Sequence, residues 1–244
     1  MKKLKNHFLN KNKILAVIAA KKNSSRLPNK NLKIFCGKPL LYWGIRAAKK
    51  SKKIDDILIS SDSYKILNLS KKFHKKIFLR KRPKKISYNE TSSWDIVRDA
   101  VNFMKKKKYY YTHVSLIQVT SPLRTHHHID DAIRQMNKKK LSGIVGITKT
   151  ECPKVWTTYL KPKSMKDFLT ENKYLKKLNN FKKNKESFKI NGAIYVINLK
   201  QLFTKNVFYS SKVGTYLMSR VHSLDIDTFF DFKVAELVKK NFKL

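Results

Sequence analysis

Short apolar runs alternate with amphipathic stretches along most of this chain. The apolar runs cover residues 14–20, 57–60, 77–79, 114–119, 143–148, 193–197 and 221–226. Between them, apolar residues recur three or four positions apart, which is the spacing of one face of a helix. Strands that alternate with helices predict a mainly parallel sheet with helices on both faces. We therefore expect a three-layer α/β fold, in which ligands bind at the carboxyl ends of the strands.

Capping residues mark three of the predicted helix starts. Pro39 stands where a first helical position is expected, and apolar residues follow it at helical spacing. Ser92 and Asp95 have the spacing of a capping box, and so do Thr228 and Asp231. Each of these sites is followed by an amphipathic pattern, so we expect a helix to begin at each.

One region interrupts the alternation. Ten lysines fall between residues 161 and 189, among scattered aromatic residues. We interpret residues 150–189 as an inserted lobe. The length of 244 residues is typical of one domain, with or without such a lobe. The predicted organisation is a basic extension at 1–12 and a single domain over 13–244.

The net charge of +40 is typical of nucleic-acid-binding proteins. However, 48 of the 56 basic residues are lysine and only 8 are arginine, the residue that base and phosphate recognition favours. The lysines are also spread along the whole chain. We interpret most of this charge as solvated surface and expect no specific nucleic-acid partner. A basic nucleic-acid-binding protein on an α/β scaffold stays an alternative.

The N-terminus has a basic segment, 1–13, followed by the apolar run 14–20, an order that signal peptides share. Two lysines follow at once, and a short β-branched run of this kind fits a buried first strand. We favour the strand and therefore a cytoplasmic protein. No apolar run approaches the roughly 18 residues that cross a bilayer, so no membrane association is expected. Cys36 and Cys152 are too few for a disulfide framework.

The loop after the first run, residues 20–31, is rich in cations, hydroxyls and amides. Its sequence is Ala-Lys-Lys-Asn-Ser-Ser-Arg-Leu-Pro-Asn-Lys-Asn. Backbone N–H groups of such a loop can bind phosphate oxygens. The loop lacks both the G-x-x-x-x-G-K-[ST] pattern of a P-loop and the G-x-G-x-x-G pattern of a dinucleotide turn. It is therefore a candidate phosphate-binding loop of neither of these types.

The same loop resembles R-x-[GN]-S-[KS]-x-[LI]-P-x-K-N, a signature of the CMP-sugar-acid synthetases, the acylneuraminate cytidylyltransferase family. Further blocks follow in the family's order: Gly-Lys-Pro-Leu at 37–40, Arg-Pro at 82–83, Thr-Ser-Ser at 91–93, Leu-Ile-Gln-Val-Thr-Ser-Pro-Leu-Arg-Thr at 116–125, Asn-Gly-Ala-Ile-Tyr at 191–195 and Ser-Leu-Asp-Ile-Asp at 223–227. The resemblance covers about residues 13–238. It implies a Rossmann-like nucleotidyltransferase sheet. It also implies transfer of CMP from CTP to the anomeric hydroxyl of a nonulosonic, sialic-acid-like sugar acid, with release of pyrophosphate.

The resemblance further implies roles for individual residues. The nucleotide would be bound by Ala20, Lys21, Ser24, Lys30, Asn31, Arg82, Thr91 and Ser93. The sugar acid would be bound by Gln118, Lys189, Asn191, Tyr195, Phe208 and Tyr209. The catalytic residues would be Lys21, Lys30, Asp225 and Asp227, with Mg²⁺ bound by the two aspartates. The lobe at 150–189 resembles the family's dimerisation segment, which implies a homodimer.

Asp225 and Asp227 suit this chemistry on physical grounds. Mg²⁺ prefers oxygen ligands and takes one or two carboxylates together with substrate phosphates. Two residues two positions apart on an extended segment project to the same side, so these carboxylates can share a cation. Asp227 is also a candidate to accept the proton of the sugar hydroxyl. The alternative is that both aspartates only cap the following helix.

The sequence departs from the family pattern in two places. Lys21 stands where the first signature has its leading arginine. It keeps the charge but lacks the bidentate hydrogen bonding of a guanidinium. The Arg-Gln segment that the family has before the 191–195 block has no clear counterpart, because 181–185 reads Phe-Lys-Lys-Asn-Lys, and another family arginine is Lys189. These positions concern the sugar acid, so its identity stays open. Cys36-Gly37-Lys38 resembles the branch that acts on pseudaminic or legionaminic acids.

The main enzymatic alternative is the related cytidylyltransferase for 3-deoxy-manno-octulosonic acid. The blocks at 120–124 and 223–227 fit the nonulosonate branch better.

Several conspicuous residues have a structural interpretation. We expect the three histidines at 126–128 to begin a helix rather than bind a metal, because they lack ligand spacing. Asp62 is expected to cap a helix. Trp43, Trp94 and Trp156 are expected to be packing residues.

Overall fold

The computed structural model describes residues 12–22, 24–74, 76–88, 91–151, 186–205, 207–208 and 210–242. The strands of this part are β1 (Ile14–Ala19), β2 (Ile34–Phe35), β3 (Lys38–Pro39), β4 (Asp56–Ser61), β5 (Ile77–Lys81), β6 (His113–Gln118), β7 (Gly143–Thr150), β8 (Ser187–Asn198) and β9 (Val213–Met218). The α-helices are α1 (Leu40–Lys50), α2 (Tyr64–Phe73), α3 (Ser93–Lys106), α4 (His126–Lys138), α5 (Leu199–Leu202) and α6 (Phe229–Asn241). Short 3-10 turns lie at Lys30–Leu32, Lys84–Ile86 and Val221–Ser223.

Seven of the described strands form one sheet, in the order β5-β4-β1-β6-β8-β7-β9. Neighbours pair in parallel from β5 to β6 and again between β7 and β9, whereas β8 runs antiparallel to both β6 and β7. The predicted mainly parallel α/β sheet is therefore confirmed. The carboxyl ends of β1, β4 and β6 meet at one edge, and this edge carries the candidate site.

The core lies on both faces of the sheet, as the three-layer prediction requires. Along β1 the buried side chains alternate, so that Ile14, Ala16 and Ile18 join one apolar cluster while Leu15 and Val17 join the other. The first cluster is covered by α1, α2, α4 and α6, and the second by α3 and α5. A strand buried on both faces explains why residues 14–19 read as a continuous apolar run.

Six of the seven predicted strands are confirmed. Five of these end within two residues of the prediction, whereas β8 begins six residues before the predicted run at 193–197. The remaining predicted strand is wrong. Val221–Ser223 forms a 3-10 turn in place of the expected strand at 221–226. Its Ser223 hydroxyl donates to the Ser219 carbonyl at 2.7 Å and accepts from the Asn191 amide at 2.9 Å. Strand β9 was not predicted. It lies at the sheet edge and is mostly half-buried or exposed, so it lacks a clear apolar pattern.

The capping residues have mixed outcomes. Thr228 and Asp231 form the predicted capping box of α6. Ser92 caps α3 by accepting from the Trp94 amide at 3.2 Å, while the Asp95 side chain pairs with Arg98 instead.

Two capping predictions need correction. Pro39 precedes the first turn of α1 as its N-cap and ends β3. Asp62 is not the cap of α2, because Ser63 occupies that position and the Asp62 carboxylate accepts from the Lys22 amide at 2.7 Å.

The packing interpretation is confirmed for Trp43 and Trp94, and the predicted helix start is confirmed for the three histidines. Trp43 contacts the Phe35 ring edge-on at 6.0 Å, and Trp94 packs against Phe208 at 4.5 Å. His126 begins α4, and the His128 ring accepts the Thr125 amide as part of a capping box.

Residues 1–11 of the predicted extension at 1–12 and residues 152–185 of the predicted lobe lie outside the described residues, and so do Trp156 and Cys152. The borders of the lobe as drawn from the sequence fall inside strands, because Thr150 ends β7 and residues 187–189 begin β8. In the described part of the chain, no helix has the length and apolar character needed to cross a membrane.

Candidate active site

A cleft of about 400 Å³ opens at the carboxyl ends of β1 and β6. Its size lies within the range of small-molecule sites, about 300–1,000 Å³. Seven of the eight predicted nucleotide-binding residues line this first cleft: Lys21, Ser24, Lys30, Asn31, Arg82, Thr91 and Ser93. Ala20, the eighth, is fully buried and does not line it. The structure thus brings together residues from 21 to 93 that the sequence motifs place in separate blocks.

Internal hydrogen bonds fix the loop that follows β1. The Ala20 amide donates to the Ser60 carbonyl at 3.0 Å, which ties the start of the loop to β4. The side-chain amide of Asn31 donates to the Lys21 carbonyl at 2.7 Å and spans the loop. Asn31 is buried, so its predicted contact with a ribose would have to coexist with this internal bond.

Lys30 and Asp227 are linked within the first cleft. The Lys30 ammonium, largely buried, donates to the Ile226 carbonyl at 2.7 Å and to Asp227 Oδ1 at 3.2 Å. Arg26 approaches the other carboxylate oxygen of Asp227 at 3.0 Å. Two cations therefore balance the charge of Asp227.

Asp225 has different surroundings. Its side chain is accessible at the cleft, yet the surrounding protein desolvates it and raises its pKa. The charge of Asp227 raises this pKa further, while a hydrogen bond with Thr120 and the charge of Lys30 lower it. Asp225 is thus a side chain that a ligand in the cleft can reach.

The segment carrying both aspartates is not a strand, which corrects the sequence argument. It crosses the end of β6, where the Ile226 amide donates to the Thr120 carbonyl at 2.8 Å. Both aspartates nevertheless line the first cleft. The alternative that they cap the next helix is wrong, because Thr228 and Asp231 perform the capping.

Arg82 is buried beneath the cleft and held by β4. It donates to the Ser60 carbonyl at 2.9 Å, and its own amide donates to the Ser61 carbonyl at 2.8 Å. Burial lowers the pKa of its guanidinium. Its orientation is therefore set before any ligand arrives.

A second, larger cleft of about 770 Å³ adjoins the first. Four of the six predicted sugar-binding residues line it: Gln118, Lys189, Asn191 and Tyr195. Gln118 and Asp225 line both clefts, so the two meet at these side chains. Gly192 has a φ of +74°, and a Cβ there would lie 2.7 Å from Gln118 Oε1, so this position requires glycine.

The predicted sugar-binding residues differ in their availability. The Asn191 side chain is buried in internal hydrogen bonds to Ser223 and to the Ala193 amide, so it supports the wall of the cleft. The Tyr195 ring packs edge-on against Trp94 at 5.7 Å and tilted against Phe208 at 5.3 Å, whereas Phe208 itself does not line the cleft. Lys189 is exposed. Tyr209 lies outside the described residues.

Sequence reasoning missed three residues of the site. Arg26 pairs with Asp227, Thr120 bonds to Asp225, and Arg220 lines the second cleft beside Glu151, with which it forms an ion pair. Two of these are arginines in a chain with only eight. An arginine in so lysine-rich a sequence is the signal that could have identified them.

Asp225 and Asp227 were predicted to bind Mg²⁺, and the carboxylate of Asp225 has suitable surroundings. Within the described ranges, no three His, Cys, Asp or Glu side chains come together as a metal cluster. Mg²⁺ does not need such a cluster, because it takes one or two carboxylates and completes its shell with phosphates and water. Asp225, accessible at the junction of the two clefts, has the donor chemistry for this ion.

Comparisons with known proteins agree with this geometry. Residues 15–241 match the family model described as cytidylyltransferase. The chain is 27% identical to an N-acylneuraminate cytidylyltransferase of Escherichia coli over 94% of its own length, but spans about half of that relative (53%). It is 27% identical to a CMP-N,N'-diacetyllegionaminic acid synthase of Legionella pneumophila (92% and 95% covered) and 26% identical to a pseudaminic acid cytidylyltransferase of Campylobacter jejuni (93% and 97% covered).

Solved structures support the fold. A CMP:2-keto-3-deoxy-manno-octonic acid synthetase complexed with CTP matches with a TM-score of 0.65 at 14% identity, covering 94% of this chain and 99% of that one. A 4-diphosphocytidyl-2C-methyl-D-erythritol synthase from Anaerococcus prevotii matches with a TM-score of 0.63 at 15% identity, covering 94% and 96%. The family-model match extends over nearly the whole chain, and on that ground the protein belongs to the cytidylyltransferase family.

Proposed function

We propose that this protein transfers CMP from CTP to the anomeric hydroxyl of a nonulosonic sugar acid. The hydroxyl oxygen attacks the α-phosphorus and gives up its proton to solvent, the bond from that phosphorus to the oxygen bridging to the β-phosphate breaks, and pyrophosphate leaves. The relatives that the chain matches along nearly their whole length are named for legionaminic and pseudaminic acids, which supports this substrate class.

The observation that carries the proposal is the meeting of two clefts at Gln118 and Asp225. Transfer between two bound substrates requires that the attacking oxygen and the phosphorus be held a few ångströms apart. A pair of adjoining clefts with shared side chains satisfies this requirement. The first cleft is lined by cations and hydroxyls suited to a triphosphate, and the second is large enough for a sugar acid.

On the nucleotide side, we assign the triphosphate to Lys21, Ser24 and Lys30. Nucleotidyl transfer depends mainly on positioning and on neutralising charge, and these residues supply donors without taking part in covalent steps. Asp227 and the Ile226 carbonyl hold the Lys30 ammonium in the cleft. We therefore revise the role of Asp227 from metal ligand or proton acceptor to the residue that orients Lys30 and Arg26.

On the sugar side, the carboxylate of the substrate requires a cation. Three cations line the second cleft: Lys149, Lys189 and Arg220. Lys149 pairs with Glu186 and Arg220 with Glu151. Lys189 has no acidic partner among the described residues, so we assign it the sugar carboxylate, with Gln118 contacting the sugar from the junction.

We propose that Mg²⁺ is bound by Asp225 together with the phosphates of CTP. When bound, the ion would supply charge neutralisation at the reacting phosphate. Asp225 would hold it at the junction of the clefts, where Thr120 fixes the carboxylate. Asp227 is a poorer ligand because its charge is already balanced by Arg26 and Lys30.

The test is pyrophosphate release from CTP with Mg²⁺ and a panel of sugar acids: N-acetylneuraminic, legionaminic, pseudaminic and 3-deoxy-manno-octulosonic acid. We expect turnover with at least one nonulosonic acid and a large loss when EDTA removes the metal. Turnover with 3-deoxy-manno-octulosonic acid alone would replace the proposal by its enzymatic alternative. If no sugar acid raises the rate above that of CTP alone, the proposal is wrong.

The nucleic-acid alternative is tested separately by titrating RNA binding with salt. Weak binding that does not depend on sequence is expected from surface charge alone. Tight, sequence-dependent binding together with absent turnover would favour the alternative.

We further propose that the active form is a cytoplasmic homodimer. The location is supported by the need for CTP. Phe188 and Ile190 lie at the start of β8, next to residues 152–185, and both are about half exposed, which supports a packing partner there. Light scattering on the full chain should give about twice the mass of one chain, and a monomer with full turnover would contradict the dimer.

A further inference from the structure

A small cavity lies apart from both clefts. It has a volume of about 120 Å³ and is enclosed by α1, the segment 122–125, the first turn of α4 and α6. Its polar lining consists mainly of Arg46, Lys50, Arg124, His126, His127 and Lys239. None of its lining residues lines either cleft, and no Asp or Glu contributes to the lining that the structure describes.

Arg124 is the most unusual member of this lining. Its side chain is only 3% exposed, and Nη1 donates to the Gln118 and Ala193 carbonyls at 3.2 and 3.1 Å. Nε and Nη2 have no hydrogen-bond partner within the described residues. Nη2 lies against α1, since a Cβ at Gly44 would be 3.6 Å from it. Burial lowers the pKa of Arg124 to about 10, so the group is still charged at neutral pH.

A buried charge without a counter-charge is strongly unfavourable, as are buried donors without acceptors. Arg124 meets both conditions, because its two described partners are neutral carbonyls. An anion bound in the cavity that Arg124 lines would supply the missing counter-charge.

The neighbouring cations raise the positive potential further. Lys239 is 8% exposed, and its ammonium lies 4.2 Å from the Trp43 ring centre, while the Arg46 guanidinium lies 5.3 Å from the same ring. Burial and the charge of Arg46 lower the pKa of Lys239. The first turn of the 13-residue helix α4, at His126, adds the partial positive charge of a helix N-terminus.

We propose that this cavity binds a small oxyanion of the phosphate class. Its volume is below the roughly 300 Å³ of the smallest common organic-ligand sites, which favours one phosphate group over a nucleotide. The anion would lie among Arg46, Lys50, Arg124 and Lys239. It would also steady Arg124, whose Nη1 holds the main chain of Gln118 at the junction of the two clefts.

Lysines adjacent in sequence provide a matched test. Lys50 and Lys239 line the cavity, whereas Lys49 and Lys240, on the same two helices, do not line it. The variants K50M/K239M and K49M/K240M therefore remove the same charge from the same helices. Binding of radiolabelled inorganic phosphate to each full-length protein is measured by equilibrium dialysis, with saturating CTP present to compete for the first cleft.

We expect wild type and K49M/K240M to bind one phosphate with affinities within about threefold of each other. The affinity of K50M/K239M is expected to fall at least tenfold. If both double variants lost affinity for phosphate equally, the positive surface potential alone would attract phosphate and the proposal would be wrong. It would also be wrong if the wild-type protein bound no phosphate. Because only the difference between the double variants is decisive, the result does not depend on whether the protein is a cytidylyltransferase.

Two additions complete the experiment. If circular dichroism shows that K50M/K239M is unfolded, the half-buried Arg46→Met replaces it, with the same tenfold loss expected and an unchanged affinity contradicting the site. Competition by phosphoserine distinguishes the source: displacement of phosphate shows that the cavity accepts a phosphate ester, and failure to displace shows a site for the free ion. Either result presupposes, and so supports, phosphate binding in the cavity.

Discussion

The two clefts are built in different ways. In the first, Lys30 and Arg82 are buried and held by backbone carbonyls of the 226 segment and of β4. In the second, Lys149 and Arg220 are exposed and paired with glutamates. A site whose cations are already oriented pays less entropy when the ligand binds. We infer that the first cleft is preorganised for its ligand. In the second cleft, the ion pairs of Lys149 and Arg220 with glutamates must break before these cations can contact a ligand.

The largest expected effect concerns the residue that the two clefts share. Asp225→Asn keeps the shape of the side chain but removes the charge that would hold Mg²⁺, so kcat should fall on the order of 10²–10³-fold. Asp131→Asn, at an exposed Asp–Arg pair on α4, is the matched control and should leave kcat unchanged. Steady-state kinetics and thermal unfolding check both. Near-normal turnover of folded Asp225→Asn would remove Asp225 from the mechanism.

A smaller effect is expected from a substitution in the first, preorganised cleft. Lys30→Met should raise KM for CTP about 10- to 100-fold, because a buried charge-assisted contact is lost, while KM for the sugar acid changes little. Lys22→Met, on the same loop but exposed and outside the first cleft, is the control. If Lys30→Met altered only the KM of the sugar acid, the assignment of the two clefts would be reversed.

The sugar side should respond more weakly. Lys189 is exposed, and solvent screens its charge, so Lys189→Met should raise KM for the sugar acid by only about 3- to 10-fold. KM for CTP should not change. The exposed Lys212→Met serves as the control. If Lys189→Met raised KM for the sugar acid as much as Lys30→Met raises KM for CTP, the second cleft would be as preorganised as the first.

Acid should perturb the sugar side before the nucleotide side. Burial, with the charges of His222, Arg124 and His127, lowers the pKa of His128 to about 4, and the charge of Asp131 opposes this shift. The neutral form is therefore favoured in the folded state. As the pH falls from about 6.5 to about 4, His128 becomes protonated in the unfolded state but stays neutral in the folded state. The free energy of unfolding therefore decreases.

The loss should be on the order of 1 kcal/mol after solvent screening. His128 contacts His222 at 4.5 Å, next to the turn that borders the second cleft. Hydrogen exchange at pH 5 should accelerate in 219–224 relative to 24–33. His128→Gln, which keeps an acceptor for the cap of α4, should remove this difference. Equal acceleration in both segments would contradict the assignment to His128.

The arginines show how composition can inform such a comparison. Of the eight, Arg80, Arg98 and Arg134 pair with aspartates that lie outside the clefts. The other five line the first cleft, the second cleft or the small cavity: Arg26, Arg82, Arg220, Arg46 and Arg124. Lysine serves a solvated surface as well as arginine does, but a buried or bidentate contact favours the guanidinium. In this chain, arginine therefore indicates a site more reliably than lysine does.

The sequence alone determined the parallel part of the sheet from β5 to β6 and seven of the residues that line the first cleft. Residues 14–19 are buried on both faces and so read as an unbroken apolar run, and the loop after them is ordered by contacts within 20–31 and with its neighbours. Such features are local, or depend on the rule that parallel strands end at one edge, and both are visible in a single sequence.

Only the tertiary structure decided which side chains from distant segments contact each other and which stay accessible. Asp225 and Asp227 have the same chemistry and lie two positions apart, yet Lys30 and Arg26 neutralise one while the other stays accessible. Strand β9 depends on its pairing with β7, the turn at Val221–Ser223 is held by Asn191, some thirty residues away, and buried Arg124 donates to the carbonyls of Gln118 and Ala193. Long-range packing sets these contacts, and no local pattern encodes them, because the partner of each charge is fixed only when the sheet assembles.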